Sequence, residues 1–179
     1  MDPATVAWVV GRTAGVGALT ALCLTALTGA AMRLSTSDSA VPPSSFRLAH
    51  EISTFSWGPL AVIHVAALVV DPVAHLRLVD GLVPFASSYG GWPLALGVLS
   101  LDAMVLSVAA ALWHRRLTPR MRQVLHRLAY PAVGLAWAHS IWSGSDMMRA
   151  PLALSMTALM ATVAAVAAYR LLAPRVAVG

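Results

Sequence analysis

The sequence predicts an all-α integral membrane protein: a bundle of five transmembrane helices, with the N-terminus outside and the C-terminus cytoplasmic. Three observations carry this. Of the 179 residues, 59% are hydrophobic and 11% charged, with a mean hydropathy of +0.76. A soluble domain of this size carries about a quarter charged residues. Apolar runs of about 20 residues, the length needed to cross a bilayer, occur five times, and the arginines gather in the connections on one side of them.

The first span is expected over 12–32, from "RTAGVGALTALCLTALTGAAM". The stretch before it, "MDPATVAWVV", lacks a basic n-region and reads as a lead-in rather than a cleaved signal. The second span covers 48–70. Residues 71–91 are too punctuated to cross, holding Asp71, Pro72, Arg77, Asp80, Gly81, Pro84 and the "SSYGG" run; "LVPF" within them is placed at the interface. The third span covers 93–113, the fourth 125–143 and the fifth 151–172. The whole chain, 1–179, reads as one domain without heptads, low-complexity tracts, long linkers or an apparent internal repeat.

Loop charge sets direction. "HRRLTPRMRQVLHRL", between spans three and four, holds Arg115, Arg116, Arg120, Arg122 and Arg127. With that segment in the cytoplasm, Arg33, Arg47, Arg170 and Arg175 are also inside, leaving Arg12, Arg77 and Arg149 outside, as the positive-inside rule prefers. Trp92, Trp113 and Trp142 fall near span ends, where an aromatic belt belongs. The net charge of +5 comes from twelve Arg and no Lys. Because these arginines flank apolar segments, topology explains them and nucleic-acid binding is not expected. Cys23 is alone, which excludes an intrachain disulfide and a cysteine metal site.

Two stretches stand out for chemistry. "HEISTFSWGPLAVIH" runs from His50 to His64 and "HRLAYPAVGLAWAH" from His126 to His139. Spans two and four run in the same direction, so the histidines pair by depth: His50 with His126 near the cytoplasmic end, His64 with His139 toward the outside. Fourteen residues at a rise of 1.5 Å separate the levels by about 21 Å. That is too far for a shared metal cluster but suits two stacked haems, each with an imidazole on either side of its iron. A single membrane histidine is as readily a helix-to-helix hydrogen bond or part of a proton path; the matched set argues for ligands. On an ideal helix a spacing of fourteen returns within about 40° of the same face, whereas thirteen misses by about 140°. An irregular turn near Pro131 is therefore expected, bringing His126 and His139 to one side. Gly58 and Gly134 are candidates for close approach of a ring to the backbone. His75 and His114 have no matching partners and read as surface residues. No third or fourth ligand lies near any pair, which argues against zinc.

These residues also carry a resemblance. "RQVLHRLAYPAVGLAWAH", "HEISTFSWGPLAVIH", "VPFASSYGGWPLALGVLSLD" and "GRTAGVGALTALCLTALTG" resemble ferric reductase-like transmembrane domains, over roughly residues 10–150. NADPH oxidases and the haem subunit of the bacterial methionine sulfoxide reductase system are similar in the same core. The resemblance implies a multi-pass protein of a bacterial cell membrane, with two b-type haems held by His50–His126 and His64–His139. It implies electron transfer across the membrane as an oxidoreductase component. No G-x-G-x-x-G motif is present, and after span five only "LAPRVAVG" remains. Flavin and NAD(P)H chemistry is therefore expected on a separate flavoprotein reductase, with a membrane quinol as the other candidate donor.

Haem propionates need cationic or hydrogen-bonding company. Arg47 and Arg127 are the candidates at the inner level, and Arg12, Arg77 and Arg149 at the outer, although topology alone also explains each. Glu51 is a candidate proton acceptor or a solvated helix-end residue. Asp102, in the middle of span three, has four readings: a bond to a neighbouring helix, a pair with an arginine, protonation, or the orienting of a ligand histidine. A quinol-linked cytochrome b is the alternative that keeps the haems. A non-redox transporter or assembly factor is the alternative that does not.

Overall fold

The computed structural model describes residues 2–35, 39–74 and 76–172; the side chains of Met148, Arg170 and Leu171 are likewise outside the description. His75 and Arg175, and the side chain of Arg170, therefore lie outside the described residues. Six α-helices and two short 3-10 turns make up the fold, with no strand among the described residues.

Helix α1 spans Pro3–Leu34 and α2 spans Pro43–Val70. After a connection containing the 3-10 turn Leu78–Gly81, α3 runs over Gly91–Leu112. Helix α4 covers Pro119–Arg127, α5 covers Ala129–Ser143, and α6 covers Ala150–Leu172 beyond a second 3-10 turn at Ser145–Met148. Proline opens α1, α2 and α4, where its missing N–H costs nothing and its fixed φ suits the first turn. Thr118 caps α4 by accepting from the Met121 N–H at 3.2 Å. Gly90 and Gly91 lead into α3 with φ of 72° and 53°, which only glycine adopts without strain.

Four helices, α1, α2, α3 and α6, are long and apolar enough to cross a membrane. The expected span at 12–32 lies inside α1, which begins nine residues earlier because "PATVAWVVG" continues the apolar helix. The expected fourth span, 125–143, is not one helix. It is divided at Leu128 into α4 and α5, and α5 alone has 15 residues. The cause is Pro131. It has no N–H to give the Arg127 carbonyl four residues earlier, and its ring crowds that carbonyl. Leu128 N–H instead closes a tight turn onto Leu125 O at 3.1 Å, and regular bonding resumes with Ala132 N–H to Leu128 O at 3.0 Å. The expected irregularity is present, one turn before the proline rather than at it.

Packing divides the core into two antiparallel pairs. Helices α1 and α2 lie together along their length, and α3 lies along α5; α1 also touches α5 and α6, whereas α2 and α5 scarcely meet. Thr25 Oγ1 donates to Ser53 Oγ at 3.0 Å across the first pair, and Ser100 Oγ to Ala132 O at 2.8 Å across the second. Leu19, Leu22, Cys23, Trp57, Met104, Ala132 and Val133 form the buried centre. The outward faces are apolar as well, with Phe55, Val62, Leu106 and Leu154 all exposed. A helix apolar all round fits apolar surroundings rather than water.

Candidate functional site

Each of the four histidines is held by α1 or α3. Gly11 on α1 offers its carbonyl to His64 Nδ1 at 2.7 Å, and Thr25, also on α1, offers its own to His50 Nδ1 at 2.9 Å. On α3, the Pro93 carbonyl meets His139 Nδ1 at 2.8 Å. His126 departs from this pattern: the Ser107 hydroxyl lies 3.5 Å from its Nδ1 and donates to its backbone carbonyl at 3.2 Å. A carbonyl only accepts, so at His50, His64 and His139 Nδ1 carries a proton, and in the neutral ring Nε2 then keeps its lone pair. That is the tautomer a metal ligand needs, fixed by the hydrogen bond on the far side of the ring.

The rings are brought together as their depths predicted. The His64 and His139 centroids lie 6.3 Å apart with their planes at 77°, and those of His50 and His126 lie 6.5 Å apart at 76°. These separations are too wide for one ring to bond the other. A metal bound between two imidazoles at about 2 Å from each nitrogen would place the ring centres about 6 Å apart. Among the described residues no group of three or more His, Cys, Asp or Glu converges. A metal at either level would therefore need to bring further ligands of its own, as a porphyrin does.

Three glycines make room for the rings. A Cβ on Gly15 or Gly97 would come 2.9 Å from Nδ1 of His64 or His139, and one on Gly29 would come 3.0 Å from the His50 ring. Acceptor and glycine are one turn apart in each case: Gly11 with Gly15, Thr25 with Gly29, Pro93 with Gly97. The sets on α1 recur at fourteen residues, the spacing of His50 and His64, and Pro93 to Ser107 repeats it on α3. The structure thus contains a repeated hairpin where the sequence reading saw no repeat. Gly58 and Gly134, the candidates for close approach of a haem ring, face open space: a Cβ on either meets nothing within 4 Å.

A cavity of about 920 Å³ occupies the His64–His139 level, lined by α1, α2, α3 and α5. This is near the upper end for small-molecule and cofactor sites. Arg12 and Arg77 both line it, and each is already paired. Arg12 meets Asp146 at 3.0 Å and lies 4.7 Å from the Trp8 ring centre. Arg77 grips Asp80 at 2.8 Å while its backbone N–H bonds the same carboxylate. Hydrogen bonds from the Arg77 side chain and backbone hold the Asp80 carboxyl below the usual range, and the Asp80 carboxylate raises Arg77 in turn.

At the other level Arg47 is an exposed residue paired with Glu51 at 3.4 Å, so Glu51 acts as a helix-surface ion-pair residue. Arg127 and Arg149 are exposed. Arg33, counted in the sequence only toward topology, lies in the last turn of α1, beyond the Thr25 and Gly29 that hold and seat the His50 ring. His114 is exposed and bonds only the Ala111 carbonyl, as a surface histidine would. Asp102 makes no hydrogen bond or ion pair among the described residues, which removes the neighbouring-helix, arginine and histidine readings for it within this chain.

No protein-family model, curated protein or solved structure matches the chain.

Proposed function

We propose that the chain is a multi-pass protein of a bacterial cell membrane that carries electrons between its faces, with a b-type haem at each histidine level. His64 and His139 would be the axial ligands at the outer level, and His50 and His126 at the inner. Five crossings are assigned to α1, α2, α3, α4 with α5, and α6, with the N-terminus outside. One observation carries the reading: two pairs of opposed imidazoles whose centres lie 6.3 and 6.5 Å apart, three of the four rings presenting Nε2. Held by a histidine on each side, a haem there would supply one-electron iron chemistry, which would favour electron transfer over substrate binding at the metal.

The chain's own residues orient, seat and balance. The carbonyls of Gly11, Thr25 and Pro93 fix the ligand tautomer and make each imidazole a better donor. Gly15, Gly29 and Gly97 let the rings lie against α1 and α3. Arg12 and Arg77 at the outer cavity, and Arg33, Arg47 and Arg127 toward the inner level, are the cations nearest each site; Arg12, Arg77 and Arg47 would meet carboxylate groups of a ligand while paired with Asp146, Asp80 and Glu51. Outward electron movement is aided by the membrane potential, ~2.3 kcal/mol per 100 mV for a full crossing. The donor is a separate flavoprotein reductase or a membrane quinol, consistent with the resemblance to ferric reductase-like domains.

A reduced-minus-oxidised absorption spectrum of purified protein, with haem counted per chain, tests this. Two b haems per chain are expected, with one lost in each of His50→Ala and His139→Ala. Folded protein that binds no haem would overturn the proposal. Reduction by a quinol analogue without added flavoprotein would assign the donor to the membrane.

A further inference from the structure

Asp102 lies eleven residues after the first residue of α3 and ten before the last, so a membrane that α3 crosses has this carboxyl at its centre. The other sides of α3 are occupied by the chain itself. Ser100 bonds the α5 backbone and Ser107 reaches His126, while Gly97 faces the ring of His139. Asp102, half-buried itself, lies at helical spacing on the opposite side of α3, on a stripe with Leu99, Val105 and Leu106, which are 36%, 53% and 50% exposed. Lipid chains offer no hydrogen-bond donor, and an unmet carboxyl in hydrocarbon is strongly disfavoured.

We propose that this face of α3 docks a membrane-spanning helix of a partner subunit that brings an Arg or Lys side chain to the middle of the bilayer. Charge complementarity selects that occupant over a second copy of this chain. Arginines here lie toward helix ends or in connections, and the one set furthest into a helix, Arg12, is held by Asp146. Another copy in the same orientation would therefore bring no cation to this depth. The inference rests on the membrane placement proposed above, and not on the haems.

The test uses the full chain, carrying a donor dye at its C-terminus, in phosphatidylcholine vesicles. The probes are acceptor-labelled polyleucine helices of about 20 residues with either Arg or Leu at the midpoint. The Arg probe is expected to associate about three- to tenfold more tightly than the Leu probe. Asp102→Leu should abolish that preference, Asp102→Asn should reduce it, and both variants should fold and insert, since Asp102 makes no hydrogen bond or ion pair among the described residues. Equal binding of the two probes, or a preference that survives Asp102→Leu, would overturn the proposal. So would Asp102-dependent energy transfer between donor-labelled and acceptor-labelled copies of the chain in the absence of any probe, which would make a second copy the occupant. Release of the chain from vesicles by alkaline carbonate would remove the membrane placement itself, and the proposal with it.

Discussion

At Gly15 and Gly97 an added methyl group would come 2.9 Å from an imidazole nitrogen, of His64 and His139 respectively. Neither ring has slack, because its Nδ1 is tied to a backbone carbonyl on the same neighbouring helix. Overpacking of this kind typically costs 1–3 kcal/mol, so Gly97→Ala is expected to weaken haem retention at the outer level about tenfold. Haem titration of the apo protein would measure it. Gly17→Ala, where the new Cβ would make ordinary contact with Leu60 at 3.4 Å, should leave retention unchanged. A second residue-scale expectation concerns Asp80. Its folded-state pKa is depressed by Arg77, so its contribution to stability is fully present above the unfolded value. That contribution falls away as pH drops through the folded one. Amide protection in residues 76–83, measured relative to the intrinsic exchange rate at each pH, should therefore fall at acid pH, and Asp80→Asn should show the lowered protection already at pH 7. The four histidines were legible in the sequence because their spacing and depth are one-dimensional facts. The glycines stood in the same text, but their meaning depends on which turn of α1 meets which turn of α2, and periodicity does not fix that register.

The divided fourth segment is the element on which the inner level depends. A continuous helix would turn His126 about 140° away from His139, and the break at Leu128 removes that mismatch. Pro131→Ala restores the N–H that Arg127 O lacks, and α4 and α5 are expected to merge. His126 then leaves the His50 ring, and the variant should lose one haem per chain while keeping the outer one, in the same difference spectrum. Two haems in Pro131→Ala would show that tertiary packing, rather than the proline, sets the break. The sequence indicated that something irregular had to occur here, from thirteen residues that do not close on one face. Pro131 marked its place to within a turn, and the break falls at Leu128 because proline acts on the carbonyl one turn upstream. The start of α1 was missed for a different reason. Helix formation continues through apolar residues beyond the stretch needed to span, and hydropathy windows mark the span rather than the helix.

For the molecule as a whole, fold class was the most legible feature, because composition and apolar run length alone decide between water and lipid. The pairing of helices was not, since apolar faces all round give no direction to pack. The proposed topology has a direct check. Single cysteines at Ser145 and Arg116, in a Cys23→Ser background, should be labelled by an impermeant maleimide from outside and inside respectively in intact cells. Reversed labelling would overturn the charge-based orientation, though not the pairing of the histidines.

Every histidine contact to an orienting residue lies within one hairpin: α2 draws on α1, and α4 and α5 draw on α3. Nothing in the ligand geometry therefore waits for the two halves to meet. As the chain leaves the ribosome, the first hairpin can enter the bilayer with His50 and His64 already turned and protonated on the correct nitrogen, before the second has been synthesised. Between α2 and α5, which scarcely touch, there remains a seam that would close last on this order of synthesis. Biogenesis would thus run from two finished half-sites to a joined whole, with maturation occurring as their meeting rather than as a later insertion into a sealed protein.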